Sequence, residues 1–439
     1  MITNEIAKPR RFLFVLFEGG GNVPPILGLA GGLAQRGHSV RVMSDPCNEP
    51  EVRLAGCEFT PYHRTPHRVD KSAASTLIKD YEQKDPIQAF KVVMDYFCGS
   101  ALACAQDVLE EIEAHPIDLV VANELIFGAC FAAEKLGIPC VMLIPSCYSL
   151  PAPGMPPPGM MPLGGFFGKM RDRITSRIIQ GVSDYAVPTL NAARQALGLP
   201  TLKDPFRYFD QLARVLVMTS PAFDFKAQLG ANVRYVGPVL NDPAWTGHWQ
   251  SPWPANDPRP LVVVSFGTTF QDQASLYRKA IEALDGLPVR GLVTLGPAMD
   301  ISQFTAPEHV VICQSVPHRQ VFPSASAVLT HAGHGTVIRA LASGVPLICI
   351  PIGRDQPGNA ARVVYRKAGL RLKQNANATD IRKAIEKIIN DNSYRENAQR
   401  LGKIIEQDAQ NATGIRELEE VANSIATISK AQVAFLRPV

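Results

Sequence analysis

The stretch 327–350, AVLTHAGHGTVIRALASGVPLICI, decides how this chain is read. It holds a short apolar run (327–330), a glycine turn (330–336), a helix pattern closed by Gly344, and a second apolar run (347–350). Two nearly all-apolar strands joined by a helix are the repeat unit of a parallel sheet covered on both faces. In the turn THAGHGT, small residues let the backbone approach a ligand, and the following helix opens with unbonded N–H groups. His331 and Thr336 can each donate to an oxygen. The turn is therefore a candidate phosphate or diphosphate site, with a purely structural turn as the alternative. No G-K-[ST] follows it and the chain has no G-x-G-x-x-G, so neither of those phosphate motifs applies.

Working outward, three more loops follow apolar strands in the same half. SFGTTF (265–270) follows LVVVS, SVPH (315–318) follows VVIC, and PIGRDQPGNAARV (351–363) follows LICI. In the last, a carboxylate beside an amide, Asp355 and Gln356, suits a vicinal diol, and a solvated turn is the plainer reading. Four loops thus leave one edge of one sheet, where doubly wound folds bind ligands. The N-terminal half has the same rhythm. FLFVLF (12–17), the turn EGGGNVPP (18–25), a helix ended by Gly37 and VRVMS (40–44) make one unit. DLVVA (118–122), a helix over 127–136 and CVMLI (140–144) make another.

Between the halves, residues 151–168 carry six prolines, five glycines and three methionines, which no helix or central strand tolerates. They predict a long exposed loop with an adaptable apolar surface. Segment 241–260, with all three tryptophans, reads as a linker pinned to the surface. The fold class expected is α/β, with two doubly wound Rossmann-like domains facing across a cleft. Their spans are 1–240 and 261–410, followed by a helical tail over 411–439.

Composition narrows the function. A chain of 439 residues, 46% hydrophobic and 19% charged, is not disordered. A formal charge of +4 without Lys/Arg runs argues against nucleic acid. No uninterrupted apolar stretch reaches the ~18 residues of a membrane span. No cleavage signal follows the first strand, so a cytoplasmic location is expected. Nine cysteines without a C-x-x-C pair fit free thiols, and neither they nor the nine histidines show metal spacing.

The order SFGT, VPH, HAGHGT, DQPGNA resembles the inverting nucleotide-sugar glycosyltransferases of the two-Rossmann-domain (GT-B) type, the family of plant, animal and macrolide-type enzymes. The resemblance runs from about 11 to 410 and is strongest over 261–372. It implies a nucleotide-sugar co-substrate, UDP- or dTDP-linked, a small-molecule acceptor, no metal and no other cofactor. It implies that Thr268 contacts the diphosphate and that His331, Gly333, His334, Gly335 and Thr336 hold it, His331 and the helix dipole neutralising its charge. Ser315, Val316 and His318 would cradle the base, and Asp355 and Gln356 would grip sugar hydroxyls. Ser315 stands where many relatives stack a tryptophan, and His318 where a glutamine is usual. The loop 151–168, with Met155, Met160 and Phe166, would line an apolar acceptor site in the N-terminal half, for a phenolic, polyketide or terpenoid natural product. Domain closure on donor binding and a monomer or homodimer are the matching expectations.

One departure bears on catalysis. The family's base histidine aligns with Asn22 and its aspartate partner with Asn123, and an amide takes no proton at neutral pH. Asn22 can still orient a nucleophile. Glu124 and His334 are the nearest substitute bases, with Glu18, His63 and His67 behind them. Alternatively the acceptor needs no strong base. Two other functions stay open: a non-catalytic nucleotide-sugar-binding or partner-activating protein, which the two asparagines suggest, and a nucleotide-sugar 2-epimerase, whose acidic sugar-site motifs are missing.

Overall fold

The computed structural model describes residues 8–83, 85–242, 246–411 and 413–435. Trp245 of the expected linker and residues 436–439 of the expected tail lie outside them.

Thirteen described strands form two sheets, every pairing parallel. The N-terminal sheet contains β1 Arg11–Val15, β2 Ser39–Ser44, β3 Glu58–Pro61, β4 Leu119–Asn123, β5 Cys140–Ile144, β6 Arg214–Val217 and β7 Val233–Tyr235. Its order is β3-β2-β1-β4-β5-β6-β7. The C-terminal sheet contains β8 Leu261–Ser265, β9 Arg290–Thr294, β10 Val310–Cys313, β11 Ala325–Thr330, β12 Leu347–Cys349 and β13 Gly369–Arg371, in the order β10-β9-β8-β11-β12-β13. Both orders reverse direction beside their first strand, between β1 and β4 and between β8 and β11. This is the switch point at which doubly wound sheets open a crevice. Strands β4, β5 and β8 are buried at every residue, because helices cover both faces.

Three local readings change. The helix Gly165–Ala196 starts inside the segment read as loop, so the Pro/Gly-rich stretch ends at Gly164. The last proline of that stretch is Pro162, and the next, Pro188, lies inside the helix more than twenty residues on. Strands β3 and β13 form from short sequences at sheet edges, too brief for a periodic signal. Among the described residues, Ile87–Ala114 is long and apolar enough to cross a membrane by length and composition alone. It is two helices, Pro86–Gly99 and Ala101–Ala114, and Cys104, Ala105 and Val108 enter the N-terminal core.

The tail helix Gly414–Phe435 lies on the N-terminal domain, with Leu418, Val421 and Ala422 in the core beside Phe12 and Phe14. Glu419 bridges Arg36 and His38, and Glu417 pairs with Arg214. Asp242 in the linker accepts from the backbone N–H groups of His318 and Arg319, tying the linker to the loop after β10.

Candidate functional site

The loops after β8, β10, β11 and β12 converge at the C-terminal switch point. His331 is the centre of this group. A Cβ on Gly267 would sit 2.8 Å from its ring, and one on Gly333 would sit 2.7 Å away, so the imidazole occupies space that only glycine leaves. Burial pushes its pKa down to about 4, offset in part by a hydrogen bond with the Ser265 backbone. In either protonation state the ring can offer an N–H to an oxygen.

The helix His334–Ala342 begins at Gly333 with no side chain capping its first turn, leaving the amides of Gly335 and Thr336 available to an anion. Ala332 just before it has φ +70°. Leu125, Asp272 and Arg354, also in loops at the strand ends, share this left-handed geometry, which side chains tolerate only where the surroundings enforce it.

Asp355 keeps solvent-accessible surface, yet burial in the narrow cleft raises its pKa. Asn359 donates to its Oδ2 at 2.8 Å. From the N-terminal side comes Glu124, at the end of β4. Desolvation pushes its carboxyl up to about 7; Ser149 Oγ, donating to Oε2 at 2.9 Å, works against that, and the charge of Asp355 adds to it. Two carboxyls from the two domains therefore feel each other across the cleft.

Beside Glu124, Asn22 Nδ2 donates to Asn123 Oδ1 at 2.7 Å and to the Phe17 carbonyl at 3.0 Å. Asn22 Oδ1 and Asn123 Nδ2 are buried with no hydrogen-bond partner. One is an acceptor and the other a donor, which a single hydroxyl can satisfy together. Glu18 Oε1 accepts from Gly20 N and shapes the loop that carries Asn22. A side chain on Gly20 would overlap Thr268 Oγ1, so the N-terminal loop rests directly on the SFGT loop.

With this geometry in view, the family is decided by comparison. The family model described as UDP-glucoronosyl and UDP-glucosyl transferase matches residues 31–410. The chain belongs to this family. It is 28% identical over 412 residues to a 4'-demethylrebeccamycin synthase from Lentzea aerocolonigenes, covering 89% of this chain and 94% of that protein. Among solved structures it resembles the calicheamicin glycosyltransferase CalG4, with a TM-score of 0.74 and 25% identity over 95% of this chain and all of that one. It also resembles the glycosyltransferase VinC, solved in complex with DTDP, with a TM-score of 0.65 and 20% identity over 94% of this chain and 100% of that one.

Several expected ligand contacts have other occupations in this glycosyltransferase. Gln356 is buried: its Oε1 accepts from the backbone of Ile352 (2.8 Å) and Gly353 (3.1 Å), and its Nε2 donates to Gln271 (2.7 Å). It clamps the loop, and one N–H of Nε2 is its remaining donor. Val316 lies in the hydrophobic core, leaving only its backbone for a base. His318 stacks on Phe322 at 4.3 Å, and burial pushes its pKa down to about 3. Ser315 is half-buried in the same loop.

The His334 side chain is held toward the N-terminal domain. Its Nε2 pairs with Thr219 Oγ1 of the N-terminal domain at 2.9 Å, and burial lowers its pKa to about 3. His67 bonds the Thr65 carbonyl through Nδ1, in a loop whose backbone, including His63 N, is held by Asp107. Met155 is half-buried against the N-terminal core, its sulfur 3.8 Å from Arg362 Nη2. Met160 and Phe166 are exposed, and the ring contact of Phe166 is with Phe167. Neither lines an enclosed pocket, because the helix that carries Phe166 leaves the body of the domain there.

No local pattern signalled the contacts that join the domains. Arg354 forms a fork on Asp80 (2.9 Å), with Tyr81 edge-on to Phe270 beside it. Arg362 pairs with buried Asp224 at 2.7 Å and lies over the Phe225 ring.

Proposed function

We propose that this protein transfers a sugar from a UDP- or dTDP-sugar to a hydroxyl of a small, largely apolar natural product, with inversion at C1 and without a metal ion. The observation that carries this reading is the meeting of the four C-terminal loops around His331 with Glu124 and the asparagine pair on the facing domain. Family membership supports the nucleotide sugar, and the names of the relatives support a natural-product acceptor. The uncapped terminus of the helix His334–Ala342 supplies the charge stabilisation in this reading.

In this mechanism the diphosphate binds at the N-terminus of the helix His334–Ala342, with His331 donating an N–H. Asp355 accepts from a sugar hydroxyl. The acceptor hydroxyl accepts from Asn123 Nδ2 and first donates to Asn22 Oδ1; as the oxygen closes on C1, its O–H turns from Asn22 to the Glu124 carboxylate. Its oxygen attacks C1 from the face opposite the diphosphate. The oxygen–C1 bond forms, the C1–diphosphate bond breaks, and Glu124 takes the proton.

Titration with UDP, dTDP, GDP and ADP tests the donor half. Selective binding of UDP or dTDP is expected. His331→Ala should weaken it about 10–100-fold, the loss of one hydrogen bond to a charged group. Equal binding of all four nucleotides, or an unchanged affinity in the variant, would remove the assignment. For the acceptor half, Asn22→His should retain or raise turnover on alcohol acceptors. A variant that binds nucleotide normally but has lost all turnover would show that the amide does more than orient.

A further inference from the structure

The first half of the helix Gly165–Ala196 presents one whole face to solvent. Ala186, Leu190 and Ala193 near its end enter the N-terminal core, and in residues 165–181 only the opposite face, with Gly168, Arg171, Asp172, Thr175 and Ile179, is buried or half-buried. At about 3.6 residues per turn, Phe166, Phe167, Met170, Ile174 and Ile178 fall within an arc of about 120°. All five are exposed, as is Leu163 just before the helix, and the adjacent rings of Phe166 and Phe167 are 74% and 72% accessible. Single exposed apolar residues need no explanation, but a contiguous stripe of this size marks an interaction surface.

The charges around the stripe identify its partner. Arg171 is paired with Asp172. Lys169, Arg173 and Arg177 are exposed, and no acidic side chain in 160–181 remains to balance them. Their aliphatic stems can lie along the stripe while the charged heads reach outward. A second copy of the chain on this face would bring like charges together, and an apolar protein groove would leave these cations unmatched. An anionic bilayer surface satisfies both features, taking the aromatic and aliphatic side chains at the headgroup level and the cations at the phosphates.

We propose that the segment 163–178 is a reversible docking element for anionic lipid membranes. It adjoins the cleft: the loop before it crosses to the C-terminal domain, where Arg371 Nη1 donates to the Gly159 carbonyl at 2.8 Å. Docking would hold the cleft mouth near the lipid surface. The inference is independent of which acceptor is glycosylated.

Co-sedimentation of the full chain with phosphatidylglycerol/phosphatidylcholine vesicles, against phosphatidylcholine alone, tests it. Binding to the anionic vesicles only, weakening with salt, is expected. Both Phe166→Ser/Phe167→Ser and Arg173→Gln/Arg177→Gln should lower the bound fraction about tenfold. Unchanged circular dichroism and nucleotide affinity would show that each variant is folded. The proposal is overturned by no sedimentation with anionic vesicles at low salt, or by undiminished binding in both variants. It is equally overturned by a dimer that the Phe substitutions disperse without any vesicle binding, since the face would then serve self-association.

Discussion

Glu124→Gln should lower kcat about 10²–10⁴-fold, the contribution of a positioned general base, with nucleoside diphosphate affinity unchanged. The two effects separate because Glu124 belongs to the N-terminal domain and the diphosphate loops to the other. The pH profile gives a second, independent readout. A base must be ionised to act, and burial with the charge of Asp355 moves the Glu124 carboxyl up to about 7. Activity should therefore fall as pH drops below about 7, roughly tenfold per unit, whereas an ordinary glutamate would hold its activity down to about pH 4–5. In Glu124→Gln this acid limb should disappear from the residual rate. A full rate in the variant, or an acid limb that persists in it, would transfer the role to another group.

The second large effect is on stability. Arg362→Ala removes the partner of Asp224, which is fully buried and also accepts from Tyr148 N, Phe225 N and Tyr235 Oη. Breaking one side of a buried ion pair leaves an uncompensated charge and costs about 3–5 kcal/mol. The loss falls on the contact between domains, since Arg362 sits on the C-terminal helix Gln356–Tyr365 and Asp224 follows β6. Urea unfolding should shift to lower midpoint, and the two domains should separate as distinct transitions. Arg362→Lys should recover part of the loss, as a single ammonium replaces only part of the guanidinium fork. An unfolding free energy within about 0.5 kcal/mol of the parent would place Arg362→Ala among neutral surface changes and refute the argument.

Asn22 and Asn123 show how far a motif alignment reaches. Their positions relative to the first strand and to DLVVA implied that they meet, and they hydrogen-bond across 101 residues of sequence. The orphaned Oδ1 and Nδ2 were not legible, because partner satisfaction is a property of packing. Gln356 shows a second role that the sequence did not signal. Beside Asp355 it reads as a sugar ligand, yet an amide also matches backbone N–H groups, and its Oε1 holds the loop through Ile352 and Gly353.

The sequence by itself determined the two parallel α/β sheets, the four C-terminal loops and the glycine turn around His331. These rest on local rules: apolar runs, glycine positions and helix starts within a few tens of residues. Only the tertiary structure decided which side chains face the cleft and which are held elsewhere. His334 is claimed by Thr219, 115 residues away, Arg362 by Asp224, 138 away, and Arg354 by Asp80, 274 away. The raised carboxyl of Glu124 belongs to the same class. Its ionisation is set by how completely two domains exclude water around it, and no local pattern in the sequence encodes that distance.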